Sequence, residues 1–277
     1  MQIITPIILG MFAAAWASMA HAQDRIPSHC IALSQSAPGL TYLHRASFTA
    51  PIAEESVRIS YVDHSMFLIQ GVAGSNVMTD FSGYFGNVAF QPDVVTMNNA
   101  HSSHWTAFPD PAIPHVLEGW AQGGVDRDHY LELGDILIRN VHTDTRSQNG
   151  GATPNGNSIF VFETAGLCIG HLGHLHQELS DAQYAALGRM DVVMAAVDGG
   201  LTLDHASLLR VLDRLRASVV IPMHWFGRYT LESFLSDMEE SGYTIDRTGE
   251  TSQVFNLRNL PSQRTVMVLE PRFLSGE

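Results

Sequence analysis

Five histidines, His101, His104, His142, His174 and His224, each fall at or just past an apolar, strand-like run, or in the short turn that follows one. Neutral imidazole is a strong ligand for zinc and its neighbours in the transition series. A cage assembled from loops at one end of a β scaffold needs its ligands at such positions, so the pattern predicts a bound metal. Asp198, in the turn Val197-Asp198-Gly199-Gly200, is placed either to orient a ligand histidine or accept a proton, or to form an Asx turn with Gly199 supplying the positive φ. Trp105 and the pair Trp225-Phe226 directly follow His104 and His224, where they can wall a pocket or fill core. Arg146 either anchors an anionic substrate or is solvated. The chain has no GxSxG elbow, no phosphate-binding GK[ST] loop and no CxxC pair, so a side-chain nucleophile is not supported.

The elements that would carry these residues are readable from periodicity. Short β-type runs at 57–61, 66–70, 76–79 and 94–97 are followed by strands at 130–141 and 158–163, with the Gly/Asn-rich stretch 147–157 as the loop between them. After 167–169 the pattern alternates. Ser180 and Gln183 form a capping box opening a short helix, 192–197 reads as a buried strand and 204–215 has helical spacing. A strand at 219–223, a helix at 230–240 and a strand at 265–269 follow. A β-rich half joined to a β/α half predicts an α/β fold, a four-layer αββα sandwich with its functional groups on loops at one edge.

Of the 277 residues 45% are apolar and 16% charged, which is the composition of a globular chain, and residues 23–277 are expected to form one domain. Net charge is −13, and all 15 basic residues are arginines spread without clustering. A nucleic-acid partner therefore has no electrostatic footprint, and a small-molecule substrate is expected. The apolar run 3–17 followed by Ala20-His21-Ala22 reads as a secretory signal peptide over 1–22, although no Lys or Arg precedes it. The mature protein is then periplasmic or secreted and free of the membrane. Cys30 and Cys168 would pair in that setting; a buried free thiol at Cys168 is the alternative.

The segment Asn99-Ala100-His101-Ser102-Ser103-His104 resembles the HxHxDH signature of the metallo-β-lactamase fold. Tyr61 to Ile69 resembles the GHS-x-FLI segment of its ascorbate-6-phosphate-lactonase-like branch, and Met78-Thr79-Asp80 the LIDP strand end. His171-Leu172-Gly173-His174 is similar to the HxGD segment that supplies a bridging carboxylate, and Ile221-Pro222-Met223-His224 to the IPMH ligand strand. The resemblance implies His101 and His142 on one side of a metal site, His104 and His224 on the other, His174 between them and His64 close to the pocket. Asn99, Ser103 and His174 stand where that family has a histidine and two aspartates. Without those carboxylates the charge of two adjacent divalent ions is not offset, so one zinc is expected, held by His104, His174 and His224. His171 then supports the ligands, His176 sits at the rim and Asp80 is structural. The implied activity is hydrolysis of an ester, lactone or phosphodiester by a metal-bound hydroxide, assisted by Asp198 and His64. The alternative is a degenerate protein of the same fold that binds a metal or small ligand without turnover.

Overall fold

The computed structural model describes residues 26, 28–32, 47–147 and 151–276. The expected signal peptide lies outside them. The elements in chain order are α1 (His29–Ala32), β1 (Val57–Asp63), β2 (Met66–Gln70), β3 (Asn76–Met78), β4 (Gly86–Asn87), β5 (Val94–Met97), β6 (His115–Glu118), β7 (Tyr130–Leu133), β8 (Ile136–Arg146), β9 (Ala152–Thr164) and β10 (Leu167–His171). Then come α2 (Asp181–Leu187), β11 (Val192–Ala196), α3 (His205–Leu215), β12 (Val219–Met223), α4 (Arg228–Glu240), β13 (Thr244–Arg247), β14 (Ser252–Phe255), β15 (Thr265–Val268) and β16 (Leu274–Ser275).

Successive strand residues point to opposite faces, and in this chain each face finds its own core. Ile59, Phe67, Ile69, Val77 and Val94 point inward and meet Ile169, Val192, Met194 and Ile221 of a second sheet. Their neighbours Met66, Leu68, Met78, Val95 and Met97 point outward into a separate cluster. In the second sheet, Val193, Ala195 and Val220 alternate with those inward residues and take the packing faces of α3 and α4 through Val211, Leu212, Phe234 and Met238. Burial on both faces is why β11 (VVMAA) and β12 (VVIPM) are continuously apolar.

The result is a six-stranded sheet, order β14-β1-β2-β3-β5-β6, packed on an eight-stranded sheet, order β13-β15-β12-β11-β10-β9-β8-β7. The two packed sheets are those of the expected α/β sandwich. Helices α2 to α4 cover the eight-stranded sheet. Among the described residues the outer face of the six-stranded sheet is covered by irregular segments bearing Phe81, Phe85, Phe90, Trp105 and Trp120.

The structure corrects some expectations. The run 130–141 is split into β7 and β8 by a turn at Gly134, whose φ of +58 lies in the left-handed region that glycine accepts without strain. Residues 152–157 of the expected loop are strand, because β8 and β9 pair Thr145 with Thr153 and Arg146 with Ala152. β6, β13 and β14 were not anticipated. Cys30 and Cys168 form a disulfide, with Cα atoms 5.7 Å apart. Glu163 secures the same N-terminal segment: its Oε2 accepts the His29 amide at 2.9 Å and its Oε1 accepts from Ser28 Oγ at 2.5 Å and Arg139 Nε at 2.8 Å. Burial alone would raise the Glu163 pKa, but those donors outweigh it and hold the carboxyl below its ordinary range.

Candidate metal centre

The polar residues past the ends of β1, β3, β5, β10, β11 and β12 converge at one edge of the sandwich. His104 and His224 form the centre of the group, with their Nε2 atoms facing each other at 3.1 Å. Behind each ring stands a carboxylate. Asp80 Oδ2 hydrogen-bonds His104 Nδ1, both groups being fully buried, and Asp80 Oδ1 accepts the Asn98 amide. Asp198 Oδ2 lies 3.0 Å from His224 Nδ1, off the ideal hydrogen-bond direction. An ionised carboxylate only accepts, so both Nδ1 atoms carry hydrogen and both Nε2 atoms present lone pairs to one another. Two acceptors at that separation repel unless a proton or a cation stands between them.

Three residues of this constellation, His64, Asp80 and His224, have φ of 38°, 49° and 61°. Left-handed backbone at non-glycine residues is strained, and the strain collects here. The surroundings hold it in place: His64 O accepts the His224 amide at 2.8 Å and the Tyr61 hydroxyl at 2.5 Å.

Other imidazoles complete the shell. The ligand atoms of His64, His104 and His224 lie within 4.8 Å of one another, and so do those of His101, His104 and His174. His64 packs on His224 with ring centroids 4.0 Å apart. His174 Nδ1 is 2.8 Å from His176 Nε2, and His101 Nδ1 is 3.0 Å from Ser103 Oγ. Burial first, then neighbouring histidines, pushes His174 down to about 2 and His64 to about 4; burial and Arg146 push His176 to about 4. These rings are neutral at pH 7, the form that binds metal. A cluster of imidazoles, two of them backed by carboxylates and facing each other through Nε2, fits a divalent transition ion.

Of the residues singled out from sequence, His64, His101, His104, His174 and His224 come together. His142 does not. Its Nε2 is 3.0 Å from Asp128 Oδ1 and its Nδ1 3.3 Å from Ser158 Oγ. The reason is the longer hairpin: β8 does not end at Val141, so His142 is a paired strand residue opposite Ser158 rather than a loop ligand. Asp198 faces His224 and also forms the Asx-type turn. Its Oδ1 accepts the amides of Gly200, Leu201 and Thr202, and its Oδ2 the Thr202 hydroxyl at 2.7 Å. Burial would raise its pKa, but these donors and His224 drive it well below the carboxylate range. The carboxylate thus closes the turn and faces the His224 ring.

His171 is buried in the scaffold, its Nε2 donating to Ser65 O at 2.8 Å and its Nδ1 accepting the Gly173 amide at 3.1 Å. Gly173 itself is required: its φ is +59, and a Cβ there would stand 2.6 Å from Asn157 Oδ1. Trp105 packs edge-on to Trp120, and Trp225 edge-on to Tyr61 in the core. The aromatic pocket walls are Phe226 and Trp120. Sequence reading missed Asp80 as the partner of His104. An aspartate two residues past a buried strand end was the available signal, since a carboxylate is buried only with a partner.

Above the histidines opens a cavity of about 1010 Å³, lined among others by Asp63, Asn99, Ser103, Arg146, Leu201 and Phe226.

A family profile described as "Beta-lactamase superfamily domain" matches residues 58–224, which run from β1 to His224. A UPF0173 metal-dependent hydrolase of Nanoarchaeum equitans is 25% identical over 185 residues, 61% of this chain and 84% of its own. One from Methanoculleus marisnigri is 24% identical over 207 residues, 69% of this chain and 90% of its own. A Thermotoga maritima structure described as a Zn-dependent hydrolase of the metallo-beta-lactamase superfamily aligns with a TM-score of 0.56 at 24% identity, covering 77% of this chain and 99% of that one. The metallo hydrolase Igni18 of Ignicoccus hospitalis aligns at 0.51 and 17%, covering 78% and 96%. These structures share the sandwich, and with the profile spanning the strands that bear the histidine cluster, the chain belongs to the metallo-β-lactamase superfamily.

Proposed function

We propose that this protein is an exported metal-dependent hydrolase that acts on an ester, lactone or phosphodiester through one zinc ion. The observation that carries the reading is the pair of Nε2 atoms of His104 and His224, 3.1 Å apart, each ring backed by a buried carboxylate. His104 would be the ligand common to either triad, with His224 and His64 on one side and His101 and His174 on the other. Its Nδ1 is held by Asp80, so a single nitrogen remains for metal, and only one triad can be filled at a time. That gives one ion per chain. Zinc bound there would supply a Lewis acid that lowers the pKa of water to about 7 and polarises the scissile oxygen.

The chain's own groups do the rest. Asp80 and Asp198 fix the tautomers and aim of His104 and His224. His64, neutral and on the pocket wall, is open to ligate or to take a proton from the attacking water. Phe226 and Trp120 narrow the entrance and displace water. The Cys30–Cys168 disulfide supports export to an oxidising compartment. No helix of the described residues is long and apolar enough to cross a membrane.

One observation favours the non-catalytic alternative: Asn99, Ser103 and His174 give the site neutral donors where related motifs have a histidine and two aspartates. Chromogenic esters, lactones and phosphodiesters, assayed with zinc and after chelation on samples of measured metal content, separate the two. Hydrolysis that stops on chelation and returns with zinc is the expected result. A fully loaded protein inactive on the whole panel would establish the binding role instead.

A further inference from the structure

The cavity above the histidines has two unlike kinds of lining. One is Arg146, the last residue of β8, exposed, with its Nη1 donating to Gly200 O at 3.2 Å. Among the described residues it makes no ion pair, and it is the one arginine of the lining. The other is apolar: Phe226 and Leu201, which are 65% and 56% exposed although large. The Phe226 ring centroid lies 5.3 Å from those of both His64, tilted, and His224, edge-on. A guanidinium with spare donors beside apolar side chains left in water is a recognition surface, since neither core packing nor charge pairing accounts for it.

The loop between them joins this surface to the metal centre. Asp198 Oδ1 gathers the amides of Gly200 and Leu201, so the carboxylate behind His224 also sets the carbonyl that steadies Arg146 and the side chain of Leu201. The chain as a whole, at −13, repels anions, which makes a lone arginine in the lining more informative.

We propose that the substrate is an amphipathic anion: an ester or lactone bearing an oxyanion group, carboxylate or phosphate, that Arg146 binds while its apolar part lies on Phe226 and Leu201. The proposal rests on the hydrolase reading above for its reaction. In that reaction the acyl C–O bond breaks as water supplies OH to the acyl carbon and H to the oxygen, giving a carboxylic acid and an alcohol from an ester or one hydroxy acid from a lactone.

The test uses the zinc-loaded full chain and two arms. In the first, kcat and KM are measured for mono-4-nitrophenyl adipate, which carries a carboxylate, and for uncharged 4-nitrophenyl hexanoate. The wild type should prefer the adipate, and Arg146→Gln should cut that preference, as a ratio of kcat/KM values, about tenfold through KM, the size of one lost charge-assisted hydrogen bond. Phe226→Ala should raise KM for both. An unchanged ratio in Arg146→Gln overturns the proposal. The second arm needs no turnover: calorimetric titration with octanoate and with octyl phosphate, which also tells carboxylate from phosphate preference. Either anion should bind wild type at least about tenfold more tightly than Arg146→Gln. Equal binding would place the anion on the metal and refute the role of Arg146. Anion binding that depends on Arg146 without hydrolysis of any ester would leave the anion site standing and remove the hydrolase reading; hydrolysis indifferent to Arg146 would do the reverse.

Discussion

Replacing Asp80 with asparagine isolates the contribution of the carboxylate behind His104. Asp80 has φ of 49°, a conformation asparagine also accepts, so the backbone can stay as it is. The amide oxygen can still take the Nδ1–H of His104, but its nitrogen then faces the Asn98 N–H that Asp80 Oδ1 accepts, so the change loses the charge, part of the strength of the His104 bond and the bond from Asn98. The carboxylate is fully buried, so no solvent screens its interaction with the imidazole. Loss of a carboxylate partner behind a ligating histidine typically weakens metal binding about 10- to 100-fold, which is roughly 1.4 to 2.7 kcal/mol. The prediction is a zinc affinity lower by that factor, read by competition against a chromophoric chelator, with an unchanged far-ultraviolet circular dichroism spectrum. Affinity equal to wild type would refute the reasoning, because His104 would then not be a ligand held by Asp80. Ser65 Oγ, 3.2 Å from the same Nδ1, is too weak an acceptor to compensate.

Further outcomes follow from the same geometry. His224→Ala should remove most bound zinc while His142→Ala should not, since the latter ring is engaged by Asp128 and Ser158; elemental analysis of both variants decides. Removing the Cys30–Cys168 bond, which closes a loop of 138 residues, should lower stability by up to about 5 kcal/mol on the loop-entropy account. Matching urea midpoints with and without reductant would contradict it. His171 and His174 have pKa values lowered by burial, so they stay neutral when folded but take protons when unfolded. The stability they contribute is complete above about pH 6.5 and falls as pH drops below it, by at most about 1.4 kcal/mol per pH unit for each residue. Urea melts of zinc-free protein between pH 7.5 and 5 should show that slope, and a flat profile would count against buried neutral histidines.

The parts of this site legible in the sequence are those where one residue has one role. His101, His104, His174 and His224 follow apolar strands whose two faces are both buried, so their positions past the strand ends announced a shared edge. His142 was misplaced because a Gly/Asn-rich stretch reads as loop, whereas cross-strand pairing carried β8 to Arg146. Pairing is non-local, and no window of sequence contains it. The same holds for β14, whose residues are half-buried and lack alternation because they cross from the helical half to pair with β1 in the other sheet. Asp80 and Asp198 illustrate a further limit. Sequence placed each carboxylate at a strand end, but which histidine it faces depends on how the two sheets stack.

The central claim is that His104 is the ligand without which neither triad can hold a metal. Elemental analysis of zinc-reconstituted, dialysed wild type and His104→Ala measures it directly. About one ion per wild-type chain and close to none in the folded variant is the predicted result. Two tightly held ions in the wild type, or a full ion retained by His104→Ala, would contradict it.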